Sequence, residues 1–184
     1  MDKRGKWILW VSIALVIILI GIMFFYFALW KPNYGAKYSG VVLPNPASGL
    51  SDEEAVAAFN ESFVYYLLVS IKAYDLHSIP ITGDKPKIEV YVGDVLYNAV
   101  VDKGNIVVGK GALEDKDAVI RTTTLEAVNM VRNKNYVKDS FSSGKSTMEL
   151  VASKSTLFGK GYLGLYTEIT GKSVTGNVFK IYTS

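Results

Sequence analysis

Cysteine is absent from the 184-residue chain, and His77 is its only histidine. The first absence removes disulfides, thiolate nucleophiles and cysteine metal sites together. The second makes any Ser-His-Asp triad depend on His77 and excludes a multi-histidine metal centre. An excess of one charge sign is also missing from most of the chain. Lys3, Arg4, Lys6, Lys31 and Lys37 precede position 51, with Asp2 as the one acid there, whereas residues 51–184 hold fifteen basic and sixteen acidic side chains. The sequence pI of about 8.9 therefore belongs to the N-terminal segment. Nucleic acid requires a basic stripe of one sign, and here the signs are interspersed, so no nucleic-acid partner is expected.

What is present in excess is one apolar run. Trp7 to Trp30 contains no charged side chain. As a helix it would span about 36 Å at ~1.5 Å per residue, against a hydrocarbon core roughly 30 Å thick. Trp7, Trp10, Tyr26 and Trp30 lie toward its ends, at the depths amphipathic rings prefer. A cleaved signal peptide would have an apolar region of about 7–15 residues followed by small ones. This run is longer, and Phe24-Phe25-Tyr26-Phe27 is a poor cleavage context. A pilin-like precursor, suggested by Lys3-Arg4-Gly5, fits less well because Pro32 and Gly35 interrupt the chain where a pilin helix continues. A retained single-pass anchor is the expectation. Lys3, Arg4 and Lys6 outweigh Lys31 and Lys37, which puts the N-terminus in the cytoplasm and the C-terminal domain outside the cell membrane.

The expected organisation is a basic tail at 1–6, a transmembrane helix at 7–30, a linker rich in proline and glycine at 31–50 and a domain at 51–184. Val41-Val42-Leu43 is placed as an edge segment able to dock on that domain. Ser51-Asp52-Glu53-Glu54 is a capping box that opens a helix expected to run to about Leu76. Phe59, Phe63, Tyr66, Leu67, Ile71 and Tyr74 share one of its faces. Strands are expected at 87–92, 95–101, 105–109 and 118–122, with Asp102-Lys103-Gly104 as a hairpin turn. Thr123-Thr124-Leu125-Glu126 reads as a second capping box, opening a short helix whose inner face holds Leu125 and Val128. A strand at 147–152, a helix begun by Thr156 and a last strand or docked tail at 177–182 complete the chain. The fold class is α+β: an N-terminal transmembrane helix plus a mostly antiparallel sheet covered by helices.

No motif carries catalytic chemistry. Gly144-Lys145-Ser146 ends like a phosphate loop, but position 139, where that loop needs glycine, is Asp139. Gly159, Gly161 and Gly164 match the spacing of a dinucleotide loop without its strand-helix setting, and close helix packing explains them better. Glu114, Asp115 and Asp117 around Lys116 lack a calcium-loop pattern and read as a charged turn. His77 reads as a capping or surface residue after the long helix. Asn60-Glu61-Ser62 is a formal glycosylation sequon inside a predicted helix.

The stretch Asp117-Ala-Val-Ile-Arg-Thr-Thr-Thr-Leu-Glu-Ala-Val, followed by Phe141-Ser-Ser-Gly-Lys-Ser-Thr-Met-Glu-Leu, resembles the sterol-carrier (SCP2-like) lipid-binding domain over roughly residues 52–170. In that family an Asp-initiated strand enters a short helix with a polar cap, and a Phe-x-x-Gly turn leads to the last main strand. The chain departs from the pattern in its N-terminal anchor, its extra C-terminal strand, and Ser153-Lys154-Ser155 in place of a glycine. The resemblance implies a sheet covered by helices around an apolar tunnel, acting by binding and not by catalysis. It implies a lipid or other apolar ligand held by Phe63, Leu67, Ile71, Leu125 and Val128, with no cofactor, metal or catalytic residue. The alternative is a structural or protein-interaction domain with a partner in a cell-envelope assembly.

Overall fold

The structure is a computed structural model and describes Trp10 and residues 12–21, 44–80 and 82–172. The chain divides into two compact units, Met1–Tyr34 and Gly35–Ser184. In the first, Trp10 and residues 12–21 are helical and their side chains exposed. Among the described residues no helix is long and apolar enough to cross a membrane. The expected span at 7–30 falls only in part on those residues, and the segments at 41–43 and 177–182 lie outside them.

The second unit is a five-stranded sheet with helices on one face. The strands are β1 (Lys87–Val92), β2 (Val95–Asp102), β3 (Asn105–Lys110), β4 (Ala118–Thr122) and β5 (Thr147–Leu150), in the spatial order β3-β2-β1-β4-β5. Only β1 and β4 pair in parallel; the other neighbours are antiparallel. The β2–β3 hairpin turns through Lys103 and Gly104, both with positive φ, as a two-residue turn matched to the twist of its strands requires. Period-two alternation then sends Ile88, Val90 and Val92, Tyr97, Ala99 and Val101, Ala118 and Ile120, and Met148 and Leu150 into one core.

Among the described residues of this unit there are six α-helices, four of them opened by a side-chain cap. They are α1 (Asp52–Ala57), α2 (Glu61–Ser70), α3 (Thr124–Arg132), α4 (Tyr136–Ser142), α5 (Lys154–Gly159) and α6 (Tyr162–Thr170). The Ser51–Glu54 capping box is present in full, and Ser51 holds the Glu54 carboxyl below its usual range. The long helix expected to reach Leu76 is instead α1, α2 and a 3-10 turn at Ala73–Asp75. Asn60 causes the break: its side chain accepts from Ser62 N–H and caps α2 anew. Lys72, at φ 59°, ends the α-helical path before that turn.

The predicted helix after β5 is likewise two helices. Its cap is Ser153, which accepts from Thr156 N–H, and Gly161 at φ 86° joins α5 to α6. A Cβ on Gly161 would lie 3.3 Å from the His77 ring, and His77 N–H donates to Lys160 O, so this glycine serves a tight turn under the 77–79 segment. Residues ahead of Ser51 also join the fold. Asn45 donates to Val131 O, Ala47 is buried, and Arg132 binds Asp52 together with the carbonyls of Leu50 and Ser51.

Candidate functional site

The residues predicted to hold a ligand separate into three places. Phe63, Leu67 and Val128 are at most 2 % exposed and belong to the core between α2, α3 and the sheet. Leu125 is 45 % exposed, because the inner stripe of α3 is Ala127, Val128, Met130 and Val131. The expected inner face of this helix therefore keeps Val128 and loses Leu125. Ile71, the C-cap of α2, is 3 % exposed in the same core and also borders an open groove of about 360 Å³. Ser70 and Ile71 form one wall, Glu168 and Ile169 of α6 another, and Lys134, Asn135, Val137 and Lys138 the third.

Three nearly buried apolar side chains, Ile71, Val137 and Ile169, floor this groove. Its volume is within the range of small-molecule sites, about 300–1,000 Å³. Polar groups occupy the rim. Glu168 pairs with Lys72, and that hydrogen bond and charge hold the Lys72 ammonium above its usual range. Beyond the pair lies a second groove of about 260 Å³, between Lys72, Leu76, Gly161 and Leu165. Glu168 lines both grooves.

Because Leu67 is 1 % exposed in the core, Leu67→Trp should cost about 1–3 kcal/mol of stability through overpacking, read by urea denaturation. An unchanged midpoint would mean that the site has spare volume.

Two polar clusters escaped the sequence reading. In the first, the Asp117 carboxylate is buried where β1, β4 and β5 meet. It accepts from Lys87 N–H at 2.7 Å, from Lys160 Nζ at 2.9 Å on both oxygens, and from the Tyr162 hydroxyl at 3.2 Å. Lys160, fully buried, also reaches Lys85 O at 2.9 Å and Asp84 at 2.7 Å. Burial pushes the Asp117 carboxyl up against the pull of Lys160, and pushes the Tyr162 hydroxyl well above its ordinary range. Asp117 is therefore a structural hub and not a member of a charged turn. Nearby, Glu89 is also fully buried. One oxygen accepts from Leu113 N–H at 2.8 Å, and the other lies 2.9 Å from Lys116 Nζ as an ion pair without hydrogen-bond geometry.

In the second cluster, Thr123 accepts from Glu126 N–H, but Glu126 does not return the bond as a capping box would. Its carboxylate turns to Tyr136 and Ser140, and Ser140, Ser146 and Thr122 continue as a chain of hydroxyls at 2.8 Å spacing. Lys145 donates to Tyr136 and stays above its usual range for that reason, so it serves this network and not a phosphate loop. Ser140 and Ser146 are at most 1 % exposed, which closes them to a substrate. Among the described residues no group of acids and histidine is placed to hold a metal ion.

No family model matches the chain, and no curated protein matches it. A solved structure described as "UbiJ-SCP2 Ubiquinone synthesis protein" is similar to it at 12 % identity, over 61 % of this chain and 88 % of that one, with a TM-score of 0.34. The domain itself is α+β, a five-stranded sheet flanked by helices.

Proposed function

We propose that the chain is a membrane-tethered extracytoplasmic domain that binds a lipid or other apolar ligand without catalysis. The groove bordered by Ile71, Val137 and Ile169 supports this reading: its volume suits a small ligand, and the polar side chains of Ser70, Lys134, Asn135, Lys138 and Glu168 ring those three apolar ones. The tether rests on the uncharged run at 7–30 and on Lys3, Arg4 and Lys6 ahead of it. One preparation tests both parts. Membranes washed with alkaline carbonate should retain the full chain, and native mass spectrometry of that material should show an apolar adduct at one per chain. Release into the wash would remove the tether, and a bare mass would remove the carried ligand.

A protein-interaction domain is the second reading, and β3 favours it. This strand ends the sheet, and Val107 on it is 66 % exposed. An open edge of that kind is a template for strand pairing with a partner.

A further inference from the structure

Asn60-Glu61-Ser62 is the one Asn-x-Ser/Thr triplet in the chain, and its middle residue is not proline. The structure takes its asparagine out of the helix in which the sequence places it. Asn60 lies in the break between α1 and α2, exposed, with an extended backbone at φ −152° and ψ −170°. Ser62 is exposed as well, and Glu61 between them is committed to Lys110 at 3.6 Å. A glycan acceptor has to present its amide and its hydroxyl to a large enzyme, and a surface break does so where a packed helix does not.

Hydrogen bonding divides the Asn60 amide between two tasks. Its Oδ1 accepts from Ser62 N–H at 2.9 Å and caps α2. Only the oxygen of an amide can accept from an N–H, so this bond fixes Nδ2 as the uncommitted atom. Among the described residues nothing bonds Asn60 Nδ2 or Ser62 Oγ. The nucleophilic nitrogen and the hydroxyl that completes the triplet are therefore both free on one exposed turn. A substituent on Nδ2 leaves Oδ1 with its donor, so the cap survives modification. A glycan added before folding is accommodated by the folded domain for the same reason.

We propose that Asn60 is an acceptor for an N-linked glycan. The donor class is an oligosaccharide joined through a diphosphate to a membrane lipid and presented by an oligosaccharyltransferase. Asn60 Nδ2 attacks the anomeric carbon of the first sugar. The bond from Nδ2 to that carbon forms, and the bond from the carbon to the diphosphate oxygen breaks. Its electron pair leaves with the lipid diphosphate, and one amide proton passes to a base of the transferase. The proposal rests on the extracytoplasmic part of the functional reading, because the transfer takes place on that side of the membrane.

The test is synthesis of the full chain in the presence of microsomes that hold an oligosaccharyltransferase, followed by protease added outside them and by mass spectrometry of the intact chain and its peptides. The lumen stands for the outer side of the membrane. The domain of the wild type should be protected and gain the mass of one oligosaccharide, carried by the peptide that holds Asn60. Asn60→Asp keeps an oxygen at the N-cap, and Ser62→Ala keeps the backbone N–H that the cap uses, so both variants retain the fold. Both should lose the added mass completely, and Ser62→Thr should keep it. A domain that is protected yet unmodified overturns the proposal and leaves the extracytoplasmic reading standing. A glycan that persists in Asn60→Asp overturns it as well. A domain that is digested and unmodified overturns both.

Discussion

Replacing Asp117 by alanine is expected to lower the stability of the domain by about 3–5 kcal/mol, because it strands a buried ammonium. Asp84 still faces Lys160 from a half-exposed position, so the loss should fall toward the lower end. Lys160→Met should cost less. Without Lys160, Asp117 keeps the Lys87 N–H and the Tyr162 hydroxyl and can take up a proton, whereas Lys160 without Asp117 keeps Lys85 O and Asp84 alone. Urea denaturation of both variants checks the order, and a Lys160→Met loss exceeding that of Asp117→Ala would contradict it.

The same burial gives a sign for the pH dependence. The Asp117 carboxyl is raised from its ordinary 3.8, so the folded chain keeps this proton to higher pH than the unfolded chain does. Its contribution to stability is full below that ordinary value and is lost as pH rises through the raised one. A carbon-13 titration of the Asp117 carboxyl should show a midpoint above 3.8. A midpoint below it would mean that the three donors outweigh the loss of hydration.

Phe63→Ala should be comparably severe, at about 3–5 kcal/mol for a fully buried aromatic ring. Phe63 is 2 % exposed, its ring lies 5.0 Å from that of Phe59, and Phe59 in turn meets Tyr97 of β2 edge-on at 6.2 Å. The ring therefore joins the segment between α1 and α2 to the sheet. A loss below about 1 kcal/mol in urea would show that the neighbours collapse into the space, which the crowding of Val64, Leu67 and Leu68 argues against.

The strands were legible because each has a local signature. Alternation places Lys87–Val92, Ala118–Thr122 reads as a further short strand, and Asp102-Lys103-Gly104 marks the hairpin, all with the bounds the structure shows to within one or two residues. Helix starts were legible at Ser51 for the same reason. Helix breaks were less so. Asn60 has the pattern of a sequon inside a helix, yet asparagine is also a strong N-cap, and the Asn60-Glu61-Ser62 order suits a restart. Glu126 had the spacing of a capping box but was drawn away by Tyr136 and Ser140, ten and fourteen residues on.

The candidate site was legible only at Ile71. Its partners Val137 and Ile169 come from α4 and α6, and no local pattern links positions so far apart. The Asp117 hub was hidden in the same way, since Lys160 and Tyr162 are more than forty residues away in sequence. A cluster of acids beside lysine looks like a solvated turn until its distant partner is known. The retrievable signal was the apolar company of Lys160, which follows Leu157-Phe158 and precedes Tyr162-Leu163.

That the groove is the ligand site is tested most directly by titrating a fluorescent fatty-acid analogue into the full chain, alongside Ile71→Trp and Leu125→Trp. Ile71 borders the groove at 3 % exposure and Leu125 is 45 % exposed on α3, so the urea midpoint of each variant is read beside its affinity, and a weaker Ile71→Trp counts only where its midpoint matches that of the wild type. The wild type and Leu125→Trp should saturate at one analogue per chain with the same affinity, and Ile71→Trp should bind at least about tenfold more weakly, the effect of filling the site. No saturable binding by the wild type, or equal affinity in all three, would contradict the account.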